Sequence, residues 1–339
     1  MHEIAMPRLL GVFPSLDAIG GIQSSGRDAC QGIVNEIGER QACFLTYQPG
    51  GSKLRTALAA IARRQAEGIL LVWHLSLLKL APLAAGPGVR VIVFLHGIEA
   101  WRRQDSLTRR ALAKVNLFLS NSDHTWDGFV ASNPASGTAR HATVHLGLGD
   151  VLEPPPPPPA GTPIALMLGR MLRGEDYKGH RQMIEAWPRI AEKVPGAELW
   201  IAGDGDLRPA LAQLARGKAG VRFFGRVSEE QKCDLLAQCR CLAMPSRGEG
   251  FGLVYLEAMR MGRPCLVSDR DAGREVVNPP EAGLAANPHD PTELAAATAR
   301  LLTAGAAWDR WSCAARRRYQ ARFTAQHFRG RLNAALFAA

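Results

Sequence analysis

The sequence predicts an α/β protein built as two doubly wound, Rossmann-like halves. Three observations carry this. Short apolar runs alternate with helical patterns from Leu9 to Leu302, the rhythm of parallel sheets covered by helices. Several runs end in glycine followed by a polar or charged residue, and open α/β sheets collect ligands at such strand ends. The rhythm breaks once, at the six consecutive prolines Pro154 to Pro159, and then restarts. A proline run is a stiff spacer. The length of 339 residues also favours two domains. The expected division is 1–153, a linker at 154–161, a second domain at 162–307 and helices at 308–339.

In the first half, Leu9 to Leu16 reads as a buried strand. Ile19-Gly20-Gly21-Ile22 and a helix from Gln23 to Ile37 follow. Strand, glycine turn and helix together suit a phosphate, although tight turns need glycine on their own account. Cys43 to Tyr47 is a short strand, and Leu54 to Glu67 an Ala-rich amphipathic helix. Ile69 to Ala85 is the most apolar span. His74, Lys79 and Pro82 interrupt it, so it reads as a buried strand and a following helix rather than a membrane span. Val89 to Leu95 is a strand that ends at His96-Gly97, where a histidine serves a loop cap and a ligand equally well. A helix (Leu107 to Lys114), a strand (Leu117 to Ser120), a helix (Ser122 to Val130) and a short strand (His141 to His145) complete this half.

The second half restarts with a strand, Ile164 to Leu168, ending in Gly169-Arg170. Lys178-Gly179-His180 precedes a helix from Gln182 to Lys193. Glu198 to Ala202 is a strand, Leu207 to Ala215 a helix and Val221 to Phe224 a strand ending in Gly225-Arg226-Val227. Ser228 caps the next helix, with the acids expected of a first turn. Cys241 to Met244 and Cys265 to Val267 are strands, Gly283 to Ala286 another, and Asp290-Pro291 starts a helix through Leu302.

Bulk properties exclude several classes. Net charge is +10, which fits nucleic acid, an anionic membrane or a phosphorylated substrate. No aromatic-interleaved basic motif appears, so nucleic acid is set aside. Arg310, Arg316, Arg317, Arg318, Arg322, Arg329 and Arg331 form a basic knot that suits a solvated helix face or a membrane surface equally. The seven cysteines include no Cys-x-x-Cys pair, and no signal-peptide pattern is read, so reduced thiols in a cytoplasmic protein are expected. Gly203-Asp204-Gly205 lacks the third glycine of a nicotinamide site, because Arg208 stands there. Asp269-Arg270-Asp271 has the look of a manganese-holding acid pair, but two acids of such a short pattern read better as a loop.

The chemistry centres on Pro245 to Asp269. Glu249 lies in the turn Ser246-Arg247-Gly248-Glu249-Gly250-Phe251-Gly252, and Glu257 lies in the helix that follows. A glycine turn feeding a helix offers backbone N–H groups and a positive dipole end to an anion. A carboxylate beside it suits hydroxyl groups. Anion plus polyol is the outline of a nucleotide sugar.

The string from Gly248 to Asp269 resembles the donor-site signature of the retaining, GT-B-fold glycosyltransferases of family four, in which two glutamates stand either side of seven residues. The resemblance continues, in order, through Gly20-Gly21, Phe94-Leu95-His96-Gly97 and Ser120-Asn121-Ser122. It extends through Leu168-Gly169-Arg170 with Lys178-Gly179, Ile201 to Gly205, and Phe224 to Val227. It implies a GT-B architecture: two Rossmann-like domains facing across a cleft, with C-terminal helices crossing back to the first. By this likeness Glu249 meets the donor sugar and Glu257 the ribose. Arg170 and Lys178 clamp the diphosphate, helped by backbone at Gly21, Phe251, Gly252 and Leu253. Backbone near Arg226 and Val227 faces the base, and His96 contacts the donor sugar. The reaction implied is hexosyl transfer from a UDP- or GDP-linked donor to a saccharide or lipid-linked acceptor, with no metal or other cofactor. The expected place is the cytoplasm, at the inner face of an anionic membrane. An epimerase of the same fold, or a non-catalytic nucleotide-sugar-binding subunit, is the alternative. The insert Met171 to Tyr177 and Ala272-Gly273, where the family has two glycines, depart from the pattern.

Overall fold

The computed structural model describes residues 8–17, 20–47, 52–154 and 156–337. Ile19 of the first glycine turn and Pro155 of the proline run lie outside the described residues. Contacts divide the chain into two units, Met1–Leu148 with Ala325–Ala339, and Gly149–Thr324.

The first unit runs β1 (Leu9–Pro14), α1 (Gly21–Ile37), β2 (Ala42–Tyr47), α2 (Lys53–Ala62), β3 (Gln65–Val72), α3 (Ala81–Ala84), β4 (Ala85–Leu95), α4 (Ser106–Leu112), β5 (Leu117–Ser120), α5 (Asp123–Ser132) and β6 (His141–Thr143). The strands form one parallel sheet in the order β2-β1-β3-β4-β5-β6. The chain leaves β1 toward β2 and then crosses to β3 on the other side. That reversal opens a crevice at the carboxyl ends of β1 and β3. Trp73, immediately after β3, is fully buried beside Phe13 and Phe94, with ring centroids 5.3 and 4.4 Å away. Its indole N–H donates to the Ile22 carbonyl at 3.2 Å, which pins the first turn of α1 to the crevice.

The expected helix from Leu54 to Glu67 is shorter in the structure. α2 stops at Ala62, and Gln65 already pairs with Ala85 in the sheet. A side chain at Gly86 would stand 2.7 Å from the Gln65 carbonyl oxygen, so β4 lies hard against the start of β3. Sheet pairing overrides the helix propensity of this segment.

The second unit runs β7 (Ile164–Leu168), α6 (His180–Lys193), β8 (Glu198–Ala202), α7 (Arg208–Leu214), β9 (Val221–Gly225), α8 (Glu229–Gln238), β10 (Cys241–Met244), α9 (Leu253–Arg260), β11 (Cys265–Ser268), α10 (Gly273–Val277), β12 (Gly283–Ala286), α11 (Pro291–Leu302) and α12 (Ala306–Arg322). Its sheet is parallel in the order β12-β11-β10-β7-β8-β9. β7, β10 and β11 are buried along their whole length, as strands covered on both faces must be. All seven cysteines are free thiols.

The C-terminal helices divide differently from the expected 308–339 block. α12 stays in the second unit: Trp308 and Trp311 donate to the carbonyls of Arg240 and Pro280, each at 3.0 Å. Only α13 (Ala325–Phe337) joins the first unit. There Arg329 pairs with Asp28 at 2.9 Å and Asn333 donates to the Gly32 carbonyl, both on α1. Much of the basic knot is consumed in these contacts. Arg316 and Arg318 donate to carbonyls of Leu152, Glu275 and Val276, and Arg331 to that of His145.

Candidate functional site

The second sheet reverses between β7 and β10, which are neighbours although two βα units separate them in sequence. Gly169-Arg170 and the Pro245–Gly252 turn leave the carboxyl ends of these two strands. Two glycines bring the surrounding turns together. Gly203, with φ +137°, passes so close to β7 that a Cβ on it would lie 1.9 Å from the Gly169 carbonyl oxygen. Gly179, with φ +85°, packs against Pro245, whose carbonyl oxygen would be 2.7 Å from a Cβ there. This second approach delivers Lys178 to the β10 turn despite the insert.

Lys178 Nζ stands 2.9 Å from Glu249 Oε1 and 3.9 Å from Glu175 Oε2. Glu175, from the insert, also pairs with Arg170. Arg170, Glu175, Lys178 and Glu249 thus form a continuous charge chain. Burial works against the Lys178 charge, but Glu249, Tyr177 and Glu175 outweigh it and raise the pKa. Lys178 therefore stays cationic at neutral pH. The Tyr177 ring lies 5.3 Å beneath it, with a hydroxyl that burial pushes up to about 12.

The glycine turn has a brace that the sequence did not reveal. Asp271 is buried, and its carboxylate accepts from the backbone N–H groups of Gly273 at 3.0 Å and Glu249 at 3.4 Å. Burial lifts its pKa to about 8, and the Glu249 charge adds to the rise. Asp269 instead lies beside Arg270 at 3.5 Å. The two acids of the Asp269-Arg270-Asp271 pattern are thus engaged separately. Among the described residues, no three His, Cys, Asp or Glu side chains gather as a metal site would require.

Gly252, left-handed at φ +85°, starts α9, and no side chain caps the helix. Phe251 before it is buried, with its ring 6.1 Å from Phe323. Glu257, one turn into α9, has a partner that sequence reasoning missed. Lys232 on α8 reaches it at 2.7 Å and also holds Glu229 at 2.7 Å. Burial raises the Glu257 pKa, and Lys232 opposes that rise. The pair is 25 positions apart on separate helices, so no motif announces it. Arg226 is exposed and Val227 half-buried just after β9.

The other two expected residues, Gly21 and His96, lie in the first unit. Gly21 opens α1, which has no side-chain cap and no acid in its first turn. His96 follows β4 and is buried. Its Nε2 lies 2.6 Å from the Trp73 carbonyl oxygen, which can only accept. The ring is therefore the Nε2–H tautomer, and Nδ1 carries the lone pair. Burial, reinforced by His74, lowers its pKa to about 3. Its backbone is clamped by Glu99, which accepts from the His96 N–H at 2.6 Å, and by Asn121, which donates to the carbonyl at 2.7 Å. Trp73 thus touches both Gly21's helix and His96.

Residues 162–304 match the family described as glycosyl transferases group 1. The second unit contains a glycosyl transferases group 1 domain. Around this glycosyltransferase domain, the chain is 35% identical over 133 residues to the phosphatidyl-myo-inositol mannosyltransferase of Mycobacterium tuberculosis, covering 39% of this chain and 34% of that protein. It is 30% identical over 234 residues to the glycogen synthase of the same organism, covering 68% of this chain and 53% of that protein. The chain thus matches between a third and about half the length of these relatives. Solved structures extend the likeness beyond the glycosyltransferase domain. Anabaena HepE, in complex with UDP and glucose, superposes with a TM-score of 0.75 at 17% identity, over 98% of this chain and 99% of its own. Sucrose-phosphate synthase from Thermosynechococcus elongatus gives 0.76 at 18%, over 97% and 99%. The fold is GT-B, in keeping with the family-four resemblance.

Proposed function

We propose that the chain is a retaining, metal-independent hexosyltransferase using a UDP- or GDP-linked donor. The observation that carries this is the Lys178–Glu249 ion pair at the β7/β10 reversal, with Arg170 joined to it through Glu175. Cations fixed where two parallel strands part are suited to a diphosphate, and the carboxylate beside them to sugar hydroxyls. Names among the relatives support both donors: one is GDP-mannose-dependent, and a solved neighbour is in complex with UDP.

In this reading the donor diphosphate lies on Arg170 and Lys178, with backbone N–H groups at Phe251, Gly252 and Leu253 toward its oxygens. Glu257, held by Lys232, takes the ribose hydroxyls, and backbone at Arg226 and Val227 faces the base. As the bond from anomeric carbon to phosphate oxygen lengthens, negative charge grows on the diphosphate and Lys178 and Arg170 stabilise it. Glu249 orients the sugar. Its pairing with Lys178 suits that task better than nucleophilic attack, which favours transfer on one face with a phosphate oxygen taking the acceptor proton. His96, in the first unit, is neutral, so its Nδ1 is suited to accepting a hydrogen bond from a hydroxyl rather than to supplying a proton.

The acceptor is a saccharide or a lipid-linked saccharide, and the protein works peripherally at the cytoplasmic face of the membrane. Among the described residues no helix is long and apolar enough to cross a membrane. Support for surface docking comes from α2, where Leu54, Leu58 and Ile61 are 68%, 55% and 50% exposed. Their spacing puts them on one helix face, beside the exposed Arg55 and Arg63. Replacing all three by serine is expected to abolish sedimentation with anionic vesicles.

The test is incubation of purified protein with UDP- and GDP-hexoses in EDTA, with and without acceptor. Release of nucleoside diphosphate and a product of unchanged anomeric configuration by NMR are expected. No release and no ligand-linked rise in melting temperature with any donor would refute the reading. A metal requirement would refute that part alone.

A further inference from the structure

The insert Met171 to Tyr177 is the feature that the family likeness does not absorb. Within Arg173–Lys178 it makes two short helical turns that meet at a kink at Glu175, and it turns Glu175 inward. The Glu175 side chain is only 15% exposed. One carboxylate oxygen pairs with Arg170, and the other stands 3.9 Å from Lys178. That second oxygen is buried and has no hydrogen-bond partner. With Glu249 on Lys178 as well, two anions are set against the two cations, and the quartet carries no net charge. A carboxylate that is desolvated yet half-satisfied is held weakly.

We infer that Glu175 is an internal stand-in for the donor's diphosphate, which must displace it from Arg170 and Lys178. This rests on the proposed donor site and deepens it: Glu175 sets how loosely nucleoside diphosphate is held. When donor enters, its phosphate oxygens take over the cations and Glu175 moves into water. After transfer, Glu175 competes for the same cations and favours departure of the diphosphate product. A purely positioning role predicts the opposite sign, because removing the carboxylate would then loosen the cations and weaken binding.

The experiment is calorimetric titration of UDP and GDP into the full chain at fixed ionic strength. The proteins compared are the unaltered chain, Glu175→Gln, Glu175→Ala and Asp176→Asn, each checked for folding by its melting curve. Asp176 is the adjacent acid, and its neutralisation removes the same charge without freeing a cation. Both Glu175 variants are expected to bind the diphosphate about tenfold more tightly, the scale of one charge-assisted contact released. Their turnover should show correspondingly stronger product inhibition. Asp176→Asn is expected to change affinity by less than about twofold, as for a screened charge. Weaker or unchanged binding by the Glu175 variants, or equal tightening by Asp176→Asn, overturns the inference. If the unaltered chain binds neither nucleotide, the donor site itself is refuted and this inference with it. If it binds one and loses it in Glu257→Gln while Glu175→Gln changes nothing, only the role of Glu175 fails.

Discussion

Replacing Lys232 by methionine tests whether Glu257 depends on its cation. Breaking a buried ion pair by removing one partner destabilises by about 3–5 kcal/mol. Here the two side chains are 19% and 20% exposed, so water softens the loss. A loss of about 1–3 kcal/mol is expected, because partly hydrated pairs contribute less. For a unit of residues 149–324 that is a fall in melting temperature of about 3–10 °C. Ligand binding carries the sharper signature. Burial raises the Glu257 pKa and Lys232 opposes the rise, so its loss raises the pKa further. A carboxyl with a raised pKa is charged only above it, and the charged form accepts more strongly from the ribose hydroxyls. The variant should therefore bind UDP or GDP about tenfold more weakly at neutral pH, or about 1.4 kcal/mol. Affinity should recover as pH rises. Adding Glu257→Gln to Lys232→Met should weaken binding little further. Calorimetry at several pH values, beside thermal unfolding, measures both effects. An unchanged melting temperature with a pH-flat affinity equal to that of the unaltered chain would show that the pair has no such role.

Lys178→Ala should lower turnover by about 100-fold while changing donor affinity much less, because the charge it meets grows toward the transition state; unchanged kcat in a donor-saturated assay would remove the clamp role. Gly203→Ala should destabilise by about 3 kcal/mol or more, since its Cβ would fall 1.9 Å from the Gly169 oxygen at a φ of +137°. An unshifted urea midpoint would contradict the described approach of β8's turn to β7. His96 and His180 are held neutral, their pKa values lowered by burial to about 3 and about 4. The unfolded chain takes up these protons below about pH 6.5, so stability falls as pH drops from there toward these values. Urea midpoints measured from pH 7 to 4.5 should decline, and His96→Gln should flatten the slope.

Strand positions were legible because apolar runs with defined stops leave little choice. Ile164–Leu168, Glu198–Ala202 and Cys241–Met244 have the bounds their sequences suggest. The helices whose caps are written locally start where their sequences suggest, such as α8 behind Ser228, with its capping box, and α11 behind Asp290. The end of α2 was not legible, because Ala-rich propensity runs on while the competing interaction comes from Ala85 in another strand. In the site, the glycine turn pointed to Glu249 and the family resemblance to Arg170 and Lys178, and the structure brings the three to one place. Their supports were hidden. Lys232, Glu175 and Asp271 act through burial and distance, and an exposed-looking acid or lysine in the sequence gives no sign of either. The partners of the basic knot were hidden for the same reason: charge is visible in a sequence, but not that Arg318 and Arg331 donate to backbone carbonyls.

The return of α13 has a consequence for how this chain comes to be made. The first unit needs Arg329 and Asn333 against α1, yet residues 149–324 are synthesised in between. At ordinary translation rates that interval is roughly 10–35 s. Throughout it, α1 lacks the Arg329 and Asn333 side chains that meet its Asp28 and Gly32 in the finished fold. The second unit, contiguous in sequence, can close first, so assembly inverts the order in which the units leave the ribosome.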